Sequence, residues 1–174
     1  LLSKIGLQYF HTAGIDEIKD FYILTPNQPR AAAKKLYDWV KRTYKIKTFG
    51  VLITDSHSVP LRRGTVGVSL AHWGFSPLKD YRGRIGLYNR RLRVTMSNLA
   101  DGLAAAAVAA MGEGAEGTPL ALISDLPSIQ FTDKPLASRR PFSTFEVEEK
   151  EDLYYPLLKS VPWKKGGGGI DLES

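Results

Sequence analysis

The sequence predicts an α/β or α+β fold in which helices flank a mixed β-sheet. Residues 49–54 form a continuous apolar run of the kind that makes a buried strand. A helix with one apolar stripe is predicted before this run, and an alanine-rich helix after it. Because alanine side chains are small, the second helix can approach a sheet closely. Together these segments predict strands and helices packed against each other around one core.

The first helix is predicted to run from Pro29 to about Tyr44. Proline is favoured at the first helical position, and Asn27 or Gln28 can supply the cap. A short strand is predicted before it at residues 21–24, where the turn signal of residues 25–28 ends it. The apolar stripe consists of Leu36, Trp39, Val40 and Tyr44.

Further strands are predicted on the carboxyl side of the apolar run. Residues 64–74 alternate small and apolar side chains, and residues 87–97 contain two extended pieces around a turn at Asn89. The second piece alternates apolar residues with arginine and threonine, as in a half-buried strand. Asn98 can cap the alanine-rich helix, Gly112 can end it, and residues 120–123 are predicted as another strand.

The chain divides by composition into three parts. Residues 1–126 contain the predicted core, and residues 127–165 are a proline-interrupted extension of the same domain. Residues 166–174 begin with four glycines and are predicted to be a flexible tail. The glycine run lacks the lysine and the helix start of a phosphate-binding loop.

Composition excludes several classes of protein. The 174 residues are 43% hydrophobic and 24% charged, as in ordinary globular domains. There is no cysteine, which excludes a disulfide framework and a thiolate metal site and is compatible with a cytoplasmic protein. The most apolar stretch, residues 99–111, is shorter than the roughly 20 residues of a membrane span, so no membrane partner is expected.

The net charge of +6 is unevenly distributed. Basic residues crowd residues 62–93, where Asp80 is the opposing carboxylate, whereas residues 146–152 are acidic. A basic middle suits a phosphate-bearing ligand or nucleic acid, and a solvated surface is the alternative interpretation. Tyr81 and Tyr88 lie among the arginines and could stack on bases.

No standard catalytic motif is present, neither a metalloprotease motif, a nucleophile elbow nor a dinucleotide fingerprint. Asp55 follows the buried strand directly, and ligands of α/β sheets collect at the carboxyl ends of strands. On spacing alone, Asp55 either belongs to a site or only caps the next loop. His11, His57 and His72 are scattered, and we expect each of them to be structural.

Several motifs in a fixed order resemble the coenzyme F-420:L-glutamate ligase family. The strand and loop VLITDSHSVPL at residues 51–61 is followed by Arg62 and by a glycine-containing strand. Residues 77–83 (PLKDYRG), the helix start at residues 99–101, the TPLALI strand at residues 118–123 and the acidic EKEDLY at residues 149–154 follow in family order. The likeness extends over roughly residues 6–156 and covers the carboxy-terminal part of the family.

The resemblance implies a GTP-dependent ligase that uses Mn²⁺ or Mg²⁺. Members of the family join glutamate by an amide bond to a phosphorylated carboxylate acceptor, the lactyl-phosphate end of a deazaflavin precursor. Activation of the carboxylate by GTP, with metal ions neutralising the phosphates, is the chemistry implied. The resemblance also implies a cytoplasmic homodimer, and it accounts for the basic residues better than a nucleic-acid partner does.

Carried over by position, the resemblance assigns metal binding to Asp55 and Ser97 and nucleotide binding to Ser58, Arg62 and Asp152. It assigns no catalytic residue. The chain departs from the family pattern at Met96, which cannot serve as a hard-oxygen ligand, and at Gly86. The alternative function is therefore a catalytically inactive member that keeps the fold as a binding or assembly module.

Overall fold

A computed structural model describes residues 5–9, 28–132 and 147–162 of the chain. The strands are β1 (Ile5–Tyr9), β2 (Phe49–Ser58), β3 (Thr65–Trp73), β4 (Leu78–Asp80) and β5 (Met96–Asn98). The helices are α1 (Pro29–Tyr44), α2 (Leu99–Met111) and α3 (Tyr155–Ser160), and Glu149–Glu151 forms one turn of 3₁₀ helix.

The main sheet is mixed, as the sequence predicts. Its strand order is β1-β2-β3, with β2 parallel to β1 and antiparallel to β3. The central strand β2 is also the apolar one, and its residues from Phe49 to Thr54 are buried. A second sheet pairs β4 with β5 in antiparallel orientation. In the middle of the sheet the apolar run has a strand on each side, and these neighbours exclude water from it.

The helix α1 covers one face of the main sheet. Ala33, Tyr37 and Val40 form a core cluster with Val51 and other apolar side chains of β2 and β3. The ring of Tyr37 stacks on that of Phe49, with the centroids 4.3 Å apart. Burial of this aromatic pair together with the aliphatic stripe holds α1 to the sheet.

The alanine-rich helix α2 covers the opposite face. Ala100 and Ala104 pack with Leu52 and Phe75, and Ala104 has no exposed surface. A Cβ atom built on Gly67 of β3 would lie 2.5 Å from the carbonyl oxygen of Ala104 and from Val108 Cγ2. The helix backbone approaches the strand this closely because the strand has a glycine there.

The pairing of β2 with β3 contains a β-bulge. Ile53 pairs with Ala71 and Thr54 pairs with Ser69, so Leu70 is the extra residue on β3. Leu70 and Ala71 both contact the core cluster under α1, whereas regular alternation would turn one of them away. A bulge changes the direction in which neighbouring side chains point. Ser69 is the residue that immediately precedes the extra residue Leu70.

The helix ends agree with the sequence in position. Gln28 is the residue before α1, although its side chain makes no capping hydrogen bond. The side-chain oxygen of Asn98 accepts a hydrogen bond from the Asp101 N–H at the start of α2, as predicted. Gly112 follows α2 with φ of 83°, a conformation that favours glycine.

Two predicted strands are wrong. Residues 92–97 do not form a half-buried strand, because β5 begins only at Met96 and the side chain of Val94 is 85% exposed. The residues alternate in the sequence, but no layer packs on their apolar side. Residues 120–123 form no strand either, since Ala121 contacts the Val108 and Met111 cluster while its neighbours Leu120 and Leu122 remain exposed.

Two further predictions concern the turn at Asn89 and the strand at residues 21–24. The turn at Asn89 is confirmed, with φ of 56° and a bridge between Ile85 and Arg91 closing it. The strand predicted at residues 21–24 lies outside the described residues. At the start of the proline-interrupted extension, Phe131 forms a bridge with Phe75, and the N–H of Thr132 donates to the Gly74 carbonyl oxygen at 2.9 Å. This part of the extension is therefore bound to the core.

Candidate functional site

The carboxyl end of β2 carries Asp55, the first carboxylate after the apolar run. Its side chain is half-buried, and its Oδ1 accepts a hydrogen bond of 2.8 Å from the N–H of Ser56. Among the described residues, Oδ2 accepts no hydrogen bond and forms no ion pair. Asp55 thus has a carboxylate oxygen available to a cation or a donor.

The β2–β3 hairpin carries two of the predicted nucleotide ligands, Ser58 in the strand and Arg62 in the loop. Ser58 is exposed at the end of β2, and Arg62 is exposed in a turn closed by a 3.1 Å hydrogen bond from its own N–H to the Val59 carbonyl oxygen. Leu61 has φ of 61° and Gly64 has φ of 85°, so the loop bends sharply between them. Arg62 is available to an anion near the end of the strand.

Asp55 and Ser58 lie on opposite sides of the hairpin. Side chains alternate along a strand, and Asp55 shares its face with the residues under α1, whereas Ser58 shares the face covered by α2. A ligand that contacts both must therefore pass around the end of the hairpin. Arg62 lies at that end, so it is placed to meet the same ligand.

Asp101, in the first turn of α2, is a structural carboxylate. Its Oδ1 accepts a 2.9 Å hydrogen bond from the backbone N–H of Ser69, and its Oδ2 accepts one of 2.5 Å from Asn98 Nδ2. Both oxygens are engaged, and they connect the start of the helix to the bulged strand. The carboxylate also stabilises the positive end of the helix dipole.

Ser97 and Met96 belong to the second sheet. Ser97 pairs with Lys79 and Met96 pairs with Asp80, and the thioether side chain of Met96 is 47% exposed. No hydrogen bond or ion pair in the described part of the chain connects Ser97 to Asp55. The predicted metal ligands therefore lie on two different sheets.

Asp152 lies in the carboxy-terminal segment, just after the 3₁₀ turn. Its Oδ1 accepts a 2.7 Å hydrogen bond from the N–H of Tyr154, which orders the start of α3. Within residues 5–9, 28–132 and 147–162, no hydrogen bond or ion pair connects it to Asp55, Ser58 or Arg62. Three of the five predicted site residues, Asp55, Ser58 and Arg62, therefore belong to one hairpin, whereas Ser97 belongs to β5 and Asp152 to the carboxy-terminal segment.

The described residues provide only part of a metal site. They contain no group of three or more histidine, aspartate or glutamate side chains arranged to hold an ion. Asp55 fits Mn²⁺ or Mg²⁺ because such ions prefer carboxylate oxygens, and the hydroxyl of Ser97 is a weaker oxygen donor. Any complete ligand set must draw on residues beyond those described or on bound phosphate and water.

Two histidines differ in their surroundings. His57 is exposed on β2, whereas His72 is half-buried near Phe75, with the ring centroids 5.3 Å apart. Burial, and secondly the charge of Arg30, lowers the pKa of His72 from 6.5 to about 4. This imidazole is neutral at physiological pH and packs edge-on against the ring of Phe75.

Comparison with known proteins identifies the family. The profile of the F420-0:Gamma-glutamyl ligase family matches residues 3–125, which is more than half of the chain. The chain belongs to this family. The match includes β1, the central hairpin, β5 and α2, and therefore Asp55, Ser58, Arg62 and Ser97, whereas Asp152 lies beyond it.

Curated ligases from archaea are similar to this family member. The coenzyme F420:L-glutamate ligase of Methanopyrus kandleri is 35% identical over 131 residues, which cover 73% of this chain and 52% of the relative. That of Archaeoglobus fulgidus is 39% identical over 106 residues, covering 60% of this chain and 41% of the relative. The matched part of the chain therefore spans about half the length of these relatives.

One polar feature of this ligase-family fold, the buried Ser69, was not predicted from the sequence. Ser69 is 6% exposed, and its Oγ forms no hydrogen bond with the described residues. A serine amid the apolar residues of β3 is the signal that could have drawn attention to it. Asp101 was recognised as part of the family motif, but the sequence does not reveal its bond to the Ser69 backbone.

The loop between β4 and β5 is organised by charge. Asp80 accepts hydrogen bonds from the Arg82 guanidinium, with Oδ2 2.7 Å from Nη2. These side-chain bonds, the backbone N–H of Arg82 and nearby positive charge lower the pKa of Asp80 to about 2. Lys79 and Arg84 each lie near the Tyr81 ring, at 5.3 and 5.6 Å from its centroid.

In the described parts of this family member, no helix combines the length and apolar character needed to cross a bilayer.

Proposed function

We propose that the protein contributes to a GTP-dependent γ-glutamyl ligase that joins L-glutamate to the phosphorylated carboxylate acceptor of coenzyme F-420 biosynthesis. Family membership over residues 3–125 is the observation that carries this proposal. The curated relatives are named coenzyme F420:L-glutamate ligases, which supports the ligase part of the proposal. The matched part of the chain spans about half of the length of these relatives.

The proposed reaction proceeds through an acyl phosphate. The terminal phosphoryl group of GTP passes to the acceptor carboxylate, GDP leaves, and the glutamate amine then attacks the activated carbonyl carbon. An amide bond forms, inorganic phosphate leaves with the bonding electron pair, and the amine loses a proton. The enzyme's task is to align the reactants and to stabilise the phosphate charges.

The β2–β3 hairpin is the proposed phosphate-binding element. Arg62, exposed at the tip, would pair with a phosphate or a substrate carboxylate, and Ser58 would donate its hydroxyl to the nucleotide. Asp152 is proposed as a further nucleotide contact from the acidic element. Each assignment follows the family order of motifs, and the exposure of Ser58 and Arg62 is consistent with it.

A divalent cation is the proposed cofactor. Asp55, with one uncommitted carboxylate oxygen, would hold it, and Ser97 would add a hydroxyl. When bound, Mn²⁺ or Mg²⁺ neutralises phosphate charge. We also propose a cytoplasmic homodimer, the arrangement that the family resemblance implies.

Isothermal titration with GTP tests the nucleotide site. We expect full-length protein to bind GTP with Mn²⁺ present and to lose most of that binding without the metal. Asp55→Ala should abolish the metal dependence, whereas Asp125→Ala, a change of an exposed carboxylate, should not. Mass spectrometry of the acceptor incubated with glutamate and GTP then tests for the amide product.

A catalytically inactive binding module is the second candidate, and Met96 favours it. The exposed thioether lies where the resemblance implies a hard-oxygen ligand. Gly86, the other departure, lies in a turn where its carbonyl oxygen accepts a hydrogen bond from the N–H of Asn89. GTP binding without product would favour this candidate, and absence of both GTP binding and product would exclude the ligase.

A further inference from the structure

Residues 78–98, here called the basic arm, form a cationic surface with large apolar side chains that are exposed in the described part of the chain. The arm has a formal charge of +5, from six basic side chains and one carboxylate. Leu87 is 93% exposed, and Tyr88 is 85% exposed at the neighbouring position. Exposure of large apolar side chains beside like charges is the composition of a binding surface.

The basic arm is ordered by its own hydrogen bonds. The N–H of Gly83 donates to the Leu92 carbonyl oxygen at 2.8 Å, and the Leu92 N–H donates to Arg84 at the same distance. Arg91 Nη1 donates to the Gly83 carbonyl oxygen at 2.9 Å, which ties the two sides of the arm together. An arm organised in this way loses little conformational entropy when it binds a partner.

Residues 147–162, here called the acidic segment, have the complementary character. Residues 148–152 carry a formal charge of −3, and the side chains that follow are apolar. Leu153 is 92% exposed and Tyr154 is 70% exposed, so the described core does not cover them. The acidic segment therefore presents a negative turn followed by an apolar patch, as the counterpart of the basic arm.

We propose that the acidic segment of one copy binds the basic arm of a second copy, and that the exchange is reciprocal. Among the residues that the structure describes, the large apolar side chains of both surfaces remain exposed. In a two-fold dimer each arm meets one segment, and the contact is made twice. This inference deepens the homodimer proposed above by naming its surfaces, and it does not depend on ligase activity.

Reciprocal charge reversal in the full-length protein tests the contact. The arm variant is Arg90→Glu with Arg93→Glu, and the segment variant is Glu149→Arg with Glu151→Arg. We expect each to weaken self-association, measured by sedimentation velocity, by about tenfold or more, because attractions become repulsions. Raising salt from about 50 mM to about 500 mM should weaken the wild-type dimer as well.

Recovery of dimer affinity when the two variants are mixed is the result specific to this contact. In a mixture of the two variants, one contact keeps its native charges and the other has both signs reversed, so the heterodimer should regain wild-type affinity. A chain with all four changes should also dimerise. Lys35→Glu with Arg42→Glu alters net charge equally on α1 and should leave self-association unchanged, and circular dichroism should show that every variant folds.

Several outcomes would overturn the proposal. If neither variant affects the dimer, the two copies associate through another surface. That result would contradict the proposed contact but not the proposed homodimer. A monomer in which segment changes increase hydrogen exchange in the arm shows that the segment covers its own chain. Retention of a single-stranded oligonucleotide of about 20 nucleotides by the arm, without any effect of the variants on self-association, identifies nucleic acid as the occupant.

Discussion

The carboxylate of Asp101 accepts a 2.9 Å hydrogen bond from the backbone N–H of Ser69. Ser69 is next to the extra residue of the β3 bulge, where regular pairing with β2 is interrupted. The first turn of α2 therefore supplies an acceptor to a strand N–H at the irregular point. This bond fixes the helix to the sheet near the end of β2 that carries Asp55.

Asp101→Ala should destabilise the fold by about 2 kcal/mol. The change removes the acceptor of the Ser69 N–H and the partner of Asn98 Nδ2. Asp101→Asn keeps one acceptor oxygen and should cost less. Urea unfolding followed by circular dichroism measures both variants, and an unchanged midpoint for Asp101→Ala would show that the bond contributes little.

Gly67→Ala should cost about 1–3 kcal/mol because the new methyl group would overlap the α2 backbone. Gly102→Ala is the matched control, since nothing lies within 4 Å of its added Cβ. In the interior of a helix that control should stabilise the protein by about 0.5–1 kcal/mol. Thermal unfolding of both variants checks the prediction, and equal melting temperatures would contradict the close packing of α2 on β3.

His72 should make the folded protein less stable as the pH falls from 6.5 to about 4. Its folded-state pKa is lowered to about 4, so within this window the unfolded chain takes up a proton that the folded chain excludes. The contribution is fully present above pH 6.5, and at most about 3 kcal/mol of it is lost by pH 4.

His72→Gln should reduce this pH dependence, and His57→Gln, at an exposed position, should leave it unchanged. Because carboxylates also titrate at low pH, the informative quantity is the difference in unfolding free energy between wild type and each variant. Parallel curves for wild type and His72→Gln between pH 4 and 6.5 would count against the lowered pKa.

Arg62→Ala should weaken GTP binding by about tenfold, because a charge-assisted contact with phosphate is lost. Arg63→Ala is the matched control on the same exposed loop, and it lies outside the predicted ligand set. Neither change should alter the unfolding free energy by more than about 0.5 kcal/mol. Titration calorimetry measures the affinity, and equal losses for the two variants would indicate general attraction by the basic loop.

Local sequence patterns correctly predicted those helices and strands whose apolar residues pack against another layer of the fold. The helix α1 occupies its predicted range because proline starts it and the buried side chains of Ala33, Tyr37 and Val40 attach it to the sheet. The predicted stripe is only partly right, since Trp39 and Tyr44 are exposed. The first six residues of β2 are almost all apolar on both faces, and as part of the central strand they are buried. The prediction failed at Val94, where the alternation is present but no layer covers the apolar side.

The candidate site was predictable only in part. The family order of motifs leads to Asp55, Ser58 and Arg62, which the structure places on one hairpin. The order of motifs does not show that Asp55 and Ser58 lie on opposite faces of the hairpin. That placement follows from strand alternation once the bounds of β2 are known. The relation of Ser97 and Asp152 to that hairpin stays a prediction.

By itself, the sequence determined the family, the central strand and the two helices that cover it. These features depend on residue type and periodicity, which are local properties of the chain. Only the tertiary structure decided that Gly67 admits the α2 backbone, that Asp101 bonds to the Ser69 N–H, and that Leu87 and Tyr88 of the basic arm are exposed within the described residues. Each of these depends on the distance between residues far apart in the chain, and that distance is set by how the layers pack.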